Sequence, residues 1–285
     1  MALEQAIRTG CMGWSYDDWV GPFYPPGTGQ RDFLRLYSLV FDAVEVDSSF
    51  YSMPPQTMIE QWKQRTPENF RFTLKLPKDF TYEGRLLANQ FAVKEFERLA
   101  MHLEPKLASV LVMLPPSCRY EHMFDQLKNL LDMMSRRIRY AVEFRHMSWF
   151  RPEVYELLAE RRMCFVWSSN QYVETPPQLT TDFIYLRFIG DRKITKFDRI
   201  RRDRTDTMNN WLKRLNTVAE KYKIGQAFVF SNNHFAGFAP ATINSFRRLA
   251  GLGEREWRAI MSKHDAGRDG GPRQTSLDAI GKNET

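Results

Sequence analysis

The sequence has few cysteines and no long apolar run. Cys11, Cys118 and Cys164 lie far apart and form no Cys-x-x-Cys pair, which argues against a thiolate metal site and a disulfide framework. No apolar stretch approaches the roughly 20 residues that span a bilayer. Residues 1–10 lack the apolar segment of a signal peptide. These absences predict a cytoplasmic protein with no membrane contact.

Two motifs of cofactor and metal enzymes are also missing. Gly10 and Gly13 flank the end of the first predicted strand, but no Gly-x-Gly-x-x-Gly opens a helix there, which disfavours an open dinucleotide-binding sheet. No His-Glu-x-x-His occurs either. The cofactor is therefore unknown from the sequence. Two glutamates and two histidines could together bind one divalent metal.

Basic residues outnumber acidic ones, 41 to 34, which gives a net charge of +7. Such an excess favours anionic partners, nucleic acid above all. The alternative is a basic protein with no charged partner. Aromatic residues make up 14% of the chain, a high share that would suit either stacking on a ligand or packing of a core.

Eight short apolar runs recur along the chain, separated by amphipathic segments. Several are almost continuous in Val, Leu and Phe, as expected for parallel strands buried on both faces. The predicted strands are Arg8–Trp14, Ala43–Phe50, Arg71–Leu76, Ser109–Leu114, Tyr140–Arg145, Met163–Ser168, Phe183–Ile189 and Gln226–Ser231. The predicted helices are Asp32–Leu39, Gln56–Arg65, Gln90–His102, Met123–Met134, Pro152–Arg161, Thr205–Tyr222 and Pro240–Leu249.

This alternation predicts a single (β/α)8 barrel of the TIM type over residues 1–250. A doubly wound open sheet is the alternative. Tyr172–Asp182 is a long connection rich in Pro and Thr. Residues 251–264 predict a helical extension, and residues 265–285 predict a disordered tail.

Barrel enzymes carry their chemistry at the carboxyl ends of the strands. Glu45 and Glu143 lie inside apolar strands, where a carboxylate is costly unless it is paired. They are predicted either as acid/base groups or metal ligands, or as members of a structural network with Lys75, Arg145 or Arg187. The predicted catalytic residues are Glu45, Glu143, Lys75 and His234. The predicted substrate-binding residues are Trp14, Tyr16, Tyr51, Arg145, His146, Arg187, Asn232 and Asn233.

A capping or packing role is the alternative for His146. Many of the aromatic side chains near the strand ends could likewise pack the barrel mouth instead of binding a ligand. They are Trp14, Tyr16, Trp19, Phe23, Tyr24, Phe50, Tyr51, Tyr82 and Trp149.

A basic segment follows the seventh predicted strand, near the usual phosphate-binding region of barrels. It is predicted to contact a polyanion, and the alternative is a solvated start of a helix. The predicted contacts are Arg192, Lys193, Lys196, Arg199, Arg201 and Arg202.

Eight motifs occur in one order between Gly10 and Ala250: GWSY, WVGPFYP, VEVDSSFY, FTLKLPKDFT, LPPS, AVEFRHMSW, YLRFIGD and FSNNHFAG. In these motifs the chain resembles the domain of unknown function 72 family, the YecE-like barrels. The resemblance implies a TIM-type fold and a site at its mouth, but no reaction. Tyr82 and Ile189 replace histidines that are frequent in that family.

Together these features predict a barrel enzyme that acts on nucleic acid, such as an endonuclease for damaged or modified-base DNA with a role in repair. The alternatives are an isomerase or hydrolase of a sugar or phosphorylated metabolite, and a non-catalytic protein that binds nucleic acid or a nucleotide. Gln274, Leu277 and Ile280 have the spacing of a sliding-clamp-binding peptide, without its usual aromatics. They predict a clamp as a further partner.

Overall fold

The computed structural model describes residues 3–81, 86, 89–170 and 172–266. Tyr82 and the predicted clamp-binding residues Gln274, Leu277 and Ile280 lie outside these ranges, as does the predicted tail beyond Ala266. Among the described helices, none is long and apolar enough to cross a membrane.

Parallel strands form one sheet that curves into a nearly closed barrel, as the sequence predicted. In the described chain the sheet has nine strands, hydrogen-bonded in the order β6-β5-β4-β3-β2-β1-β9-β8-β7. They are β1 Ile7–Met12, β2 Ala43–Val46, β3 Arg71–Lys75, β4 Leu107–Met113, β5 Tyr140–Glu143, β6 Cys164–Phe165, β7 Trp167–Asn170, β8 Phe183–Gly190 and β9 Gln226–Ser231.

The prediction of one sixth strand, Met163–Ser168, is wrong in detail because Val166 separates β6 from β7. β6 pairs with β5 and β7 pairs with β8, so the chain passes from one edge of the sheet to the other within this strand position. The amide of Phe165 donates to Thr180 Oγ1 (2.8 Å), and this hydroxyl donates to the carbonyl of Met163 (2.6 Å). A side chain thus replaces backbone pairing at the outer edge of β6, and nine strands occupy eight positions.

Helices follow most of the strands, within a few residues of the predicted bounds. They are α1 Leu3–Ala6, α2 Gln30–Val40, α3 Gln56–Gln64, α4 Gln90–Met101, α5 Tyr120–Met133, α6 Pro152–Glu160, α7 Thr205–Lys221, α8 Asn233–Ala236, α9 Ala239–Leu249 and α10 Trp257–Ala266. Residues 172–182, between β7 and β8, contain no helix. The amide of Ser168 donates to Thr175 Oγ1 (2.8 Å) and Trp167 Nε1 donates to the Gln178 carbonyl (2.8 Å), which holds this connection against β7.

Two apolar clusters account for the packing. The larger lies between the outer face of the strands and the helices, and includes Trp19 and Tyr37. The smaller fills the barrel interior with side chains such as Leu111, Phe228 and Phe230. The charged part of the described barrel interior, Glu45, Lys75, Glu143 and Arg187, lies near the carboxyl ends of the strands, where the site lies.

Candidate active site at the barrel mouth

A cavity of about 570 Å³ opens at the carboxyl ends of the strands, and we call it the mouth cavity. Its volume is typical of small-molecule sites. Most of the predicted catalytic and substrate-binding residues meet there, on β3 and β8 and in the segments that follow β1, β2, β5 and β9. The cavity is lined by Tyr16, Asp47, Phe50, Tyr51, Lys75, Lys78, Met113, Arg145, Arg187, Ile189, Arg192, Phe197, Asn232, Asn233 and His234.

Arg187 on β8 is the centre of a buried charge network in the floor of the mouth cavity. Its guanidinium donates to both carboxylate oxygens of Glu45, at 2.9 Å from Nε and 2.7 Å from Nη2. Nη1 donates to Glu143 Oε2 at 2.6 Å. All three side chains are almost fully buried. The guanidinium therefore joins β2, β5 and β8 across the barrel interior.

Lys75 adds a second cation on the β3 side of the network. Its Nζ lies 3.0 Å from Glu45 Oε1 and also pairs with Asp47 Oδ1. Tyr185 donates its hydroxyl to Glu45 Oε2 at 2.8 Å. Glu45 thus receives hydrogen bonds or ion pairs on both oxygens from three neighbouring groups.

Only one of the two carboxylate oxygens of Glu143 has hydrogen-bond partners in the described chain. Oε2 pairs with Arg187 and with Arg145 Nε (3.1 Å). Oε1 is buried and has no hydrogen-bond donor among the residues that the structure describes. An unsatisfied buried oxygen carries a desolvation cost.

The charges in this network hold one another ionised. Burial raises the pKa of Glu45, but the Arg187 and Lys75 charges outweigh burial and lower this pKa to about 2. Burial also raises the pKa of Glu143, and Arg145 and Arg187 lower it below its usual range. Burial lowers the pKa of Lys75, but Asp47 and Glu45 raise it above its usual range. At neutral pH the two glutamates are carboxylates and Lys75 is an ammonium.

These ionisation states favour the structural-network interpretation of Glu45 and Glu143 over the acid/base interpretation. A carboxylate whose pKa is about 2 is a weak base and carries no proton to donate near neutral pH. Glu45 and Glu143 instead hold Arg187 and Lys75 at the cavity surface as fixed positive charges.

The residues do not fit the proposed metal. The Arg187 guanidinium lies between the two carboxylates, in the position that a shared cation would need. Within the described ranges, no three His, Cys, Asp or Glu side chains come together as a metal-binding group. No step is therefore assigned to a metal.

His234 is the titratable group of the cavity that is suited to proton transfer. Its Nδ1 lies 2.9 Å from the backbone carbonyl of Ile194. Because a carbonyl only accepts, Nδ1 carries the proton and the neutral ring has its lone pair on Nε2. Burial lowers the pKa of His234 more than this hydrogen bond raises it, so the ring is neutral at pH 7.

The backbone around Gly190 sets the position of His234. Gly190 has φ +82°, and a Cβ at this residue would lie 2.2 Å from the carbonyl oxygen of His234. Only glycine fits this close approach without strain. Asp18 Oδ2 accepts from the amide of Phe197 (2.7 Å), and the Phe197 ring packs edge-on against His234 at 5.0 Å. The segment 190–197 is thereby held over one side of the cavity.

Asn232 and Asn233 both line the cavity, as predicted, but their carbonyl oxygens serve the local fold. Asn232 Oδ1 caps α8 by accepting from the amide of His234 (3.0 Å). Asn233 Oδ1 accepts from Trp19 Nε1 (3.2 Å) and from the amide of Ala239 (2.9 Å). These bonds orient the two side chains, and their amide groups remain the part that a ligand could use.

Two predicted substrate-binding residues do not line the mouth cavity. Trp14 packs edge-on against Trp62 with ring centroids 5.4 Å apart. His146 caps a 3-10 turn at Met147–Trp149, where its Nδ1 accepts from the amide of Ser148 (3.2 Å). The capping interpretation of His146 is the one that the geometry supports.

The aromatic residues near the mouth divide into two groups. Trp19, Phe23, Tyr24 and Trp149 are at most 2% exposed and belong to the core, as the packing alternative predicted. Tyr51 is 68% exposed and stands on the rim of the cavity. Other exposed large apolar side chains also follow strand ends on this face, namely Phe91, Met147, Tyr172 and Ile200.

The basic segment after β8 is partly neutralised by its own aspartates. Arg202 pairs with Asp191 (2.8 Å), and Arg201 pairs with Asp198 (2.6 Å). Lys196 lies 3.4 Å from Asp198. No ion pair links Arg192, Lys193 or Arg199 to any carboxylate in the described part of the chain. Of the predicted polyanion contacts, these last three have no carboxylate partner among the described residues.

Asp47, Lys78 and Tyr185 contribute to the site but were not among the predicted catalytic or substrate-binding residues, although Asp47 and Lys78 are polar residues near the ends of predicted strands. Strand alternation could have found two of them, because Asp47 and Tyr185 each lie two residues from a predicted site residue on the same face, Glu45 and Arg187. Lys78 lies in the loop after β3, where no periodicity applies.

Comparison with known proteins gives the family of the chain. The sequence model of a family described as "Protein of unknown function DUF72" matches residues 8–265. UPF0759 protein YunF of Bacillus subtilis is 36% identical over 159 residues, 53% of this chain and 54% of YunF. UPF0759 protein YecE of Escherichia coli is 26% identical over 144 residues, half of each chain. The matched part thus spans about half the length of these curated relatives.

Solved structures of the same family have the same fold. A DUF72 family protein from Thermotoga maritima superposes with a TM-score of 0.74 and 25% identity, covering 86% of this chain and 99% of that one. A DUF72 family protein from Enterococcus faecalis has a TM-score of 0.68 at 20% identity, covering 86% of this chain and 98% of that one.

Proposed function

Because the chain belongs to the DUF72 family, whose description names no activity, we propose its function from the mouth cavity: a barrel enzyme that hydrolyses nucleic acid without a bound metal. One nucleotide, damaged or modified, would enter the cavity, and the flanking strand would lie along the rim. Base-modifying and repair enzymes use such extruded nucleotides.

The excess of positive charge at the mouth carries this proposal. Lys75, Lys78, Arg145, Arg187 and Arg192 line the cavity, against the carboxylates of Glu45, Asp47 and Glu143. Lys193 and Arg199 extend the positive charge along the loop beyond the cavity. A phosphate backbone is the ligand that this combination of a basic cavity and a basic edge suits best.

His234 is the general base in this scheme. Water attacks the phosphorus, the phosphorus–oxygen ester bond breaks, and Nε2 of His234 takes the proton of the water. Arg187 and Lys75 stabilise the negative charge that builds on the phosphoryl oxygens. The leaving oxygen is protonated from solvent. Glu45 and Glu143 act through Arg187 and Lys75 and are positioning residues.

The rim supports a polymeric substrate. Tyr51 is exposed at the edge of the cavity, where a base next to the bound nucleotide could stack on its ring. Such stacking is worth about 1–3 kcal/mol per base. A single nucleotide inside the cavity would gain less from Tyr51, because the ring stands at the rim.

The test is incubation of the protein with oligonucleotides that carry abasic sites, deaminated bases or oxidised pyrimidines, with Mg²⁺ or with chelator. We expect cleavage of at least one lesion that persists in chelator. His234→Ala should lower the rate at least about 100-fold. His122→Ala, an exposed histidine on α5, is the matched control and should cleave at the wild-type rate. If the protein neither cleaves nor binds any of these oligonucleotides, the proposal is overturned.

A small phosphorylated metabolite is the second candidate, and the volume of the mouth cavity, which is typical of small-molecule sites, favours it. A double variant, Lys193→Ala with Arg199→Ala, separates the two, because both side chains lie outside the cavity lining. For nucleic acid, the slope of log affinity against log salt should fall by about 1.4 for two lost single-strand contacts. For a metabolite, affinity and turnover should not change.

A further inference from the structure

A second cavity lies at the opposite end of the barrel, next to the break between β6 and β7. Its volume is about 540 Å³, close to that of the mouth cavity, and we call it the basal cleft. It opens at the amino-terminal ends of β5, β6 and β8, beside the carboxyl ends of α5 and α6. Its charged lining consists of Arg136, Arg139, Arg161, Arg162, Asp132 and Asp182.

The arginines of the basal cleft exceed its carboxylates. Arg161 pairs with Asp132, at 2.8 Å from Nε. Arg139 donates to Gln226 Oε1 (3.1 Å) and lies over the ring of Phe183. Arg136 and Arg162 have no ion pair with any carboxylate in the described ranges, and both are exposed. The cleft therefore presents two unpaired guanidinium groups beside two that are already held in place.

Arginine at a helix carboxyl end also offsets the helix dipole. That effect accounts in part for Arg161 and Arg162, which directly follow α6. It does not account for Arg136 and Arg139, which lie beyond the last turn of α5 and before β5. A binding role explains why all four meet in one cavity.

Arg162 occupies a backbone position that normally favours glycine. Its φ is +55°, and the amides of Arg162 and Met163 donate back to the carbonyls of Ala159 (3.0 Å) and Leu158 (2.9 Å). This is the αL turn that ends many helices, in which glycine avoids a steric penalty. Here the turn directs a long cationic side chain into the basal cleft instead.

We propose that the basal cleft is a second anion site, which binds a phosphorylated small molecule. Guanidinium groups match phosphate oxygens with paired hydrogen bonds, and the several oxygens of one phosphate can accept from more than one of these arginines. Leu131, Ile138 and Met163 supply apolar walls. The volume leaves room for an organic part beside the phosphate. The site is separate from the mouth cavity, and it stands whether or not the protein acts on nucleic acid.

The experiment compares two glycine substitutions, because Arg192 is the counterpart of Arg162 in the mouth cavity. Both arginines have left-handed φ, +60° and +55°, both are exposed, and each lines one cavity. Glycine adopts such φ values without strain, so neither Arg162→Gly nor Arg192→Gly should lower the Tm. A loss of binding in either variant then reports on the side chain and not on unfolding.

Isothermal titration with inorganic pyrophosphate is the assay. We expect Arg162→Gly to weaken pyrophosphate binding at the basal cleft at least about tenfold, as for a lost charge-assisted contact. Arg192→Gly should leave pyrophosphate binding at the basal cleft unchanged and weaken binding only at the mouth cavity. Two outcomes overturn the inference: pyrophosphate binding that Arg162→Gly does not change, and the absence of pyrophosphate binding to the wild type. Cleavage of oligonucleotides is measured separately, so the two proposals fail independently.

Discussion

Replacing Arg187 with Met should destabilise the barrel strongly at neutral pH. Met fills a similar volume with a flexible apolar chain, but it leaves the buried carboxylates of Glu45 and Glu143 without their shared cation. Removing one partner of a buried ion pair typically costs about 3–5 kcal/mol. Arg187 and Lys75 together lower the pKa of Glu45 from 4.5 to about 2, which corresponds to about 3 kcal/mol of native-state stabilisation at neutral pH.

The loss of stability in this variant should depend on pH and should shrink as the pH falls. In the wild type the pKa of Glu45 is lower in the folded state, so its stabilisation is present above pH 4.5 and is lost as the pH falls towards 2. Without Arg187, burial of the two glutamates is opposed only by Lys75 at Glu45 and by Arg145 at Glu143, so the pKa of both should rise relative to the wild type. The variant should then gain stability relative to the wild type as the pH falls and these carboxylates become protonated.

Urea unfolding at pH 7 and pH 5 measures this effect. The difference in unfolding free energy between Arg187→Met and the wild type should be largest at pH 7 and smaller at pH 5. Arg98→Met is the control, because Arg98 pairs with Glu95 at an exposed helix surface, and its unfolding midpoint should match that of the wild type at both values. A difference for Arg187→Met that is constant between pH 7 and 5 would refute the reasoning.

Two further substitutions test local features. Gly190→Ala places a Cβ 2.2 Å from the His234 carbonyl oxygen, so it should cost at least about 2 kcal/mol of stability and shift the His234 ring signals in NMR spectra; an unchanged melting curve would contradict this. Lys106→Met removes the donor to the carbonyls of Lys63 and Thr66, both at 2.6 Å, and should lower the unfolding free energy in urea by about 1–3 kcal/mol. Lys128→Met on the exposed face of α5 is its control, and equal losses in both variants would argue against a special role of Lys106.

Much of the fold could be predicted because buried parallel strands read as apolar runs. The predicted bounds of the last strand, Gln226–Ser231, agree with β9. The break at Val166 could not be predicted, because residues 163–167 are all apolar and nothing in their pattern marks a change of partner. Its cause is tertiary: Thr180, distant in sequence, takes the place of a neighbouring strand.

The sequence predicted which residues form the candidate site, but not the role of each residue. Polar residues at strand ends identified Glu45, Lys75 and Arg187, because fold topology alone brings such positions together. Their roles depend on distances that no sequence pattern contains. The position of Arg187 between two carboxylates turns Glu45 from a candidate base into the partner of a fixed cation. The sequence likewise could not show that Arg201 and Arg202 pair with aspartates, which lower the net positive charge of the loop after β8.

The interruption at Val166 leaves a seam between β6 and β7, where no backbone ladder joins the two edges of the described sheet. Backbone ladders join β6 to β5 and β7 to β8. At the mouth end, the Arg187–Glu143 ion pair ties β8 directly to β5 across this seam. Ladder hydrogen bonds respond little to pH, whereas this tether is lost when Glu143 is protonated. Acid should therefore open the barrel first along the seam, and the amides of β6 and β7 should exchange with solvent before those of β1 and β9.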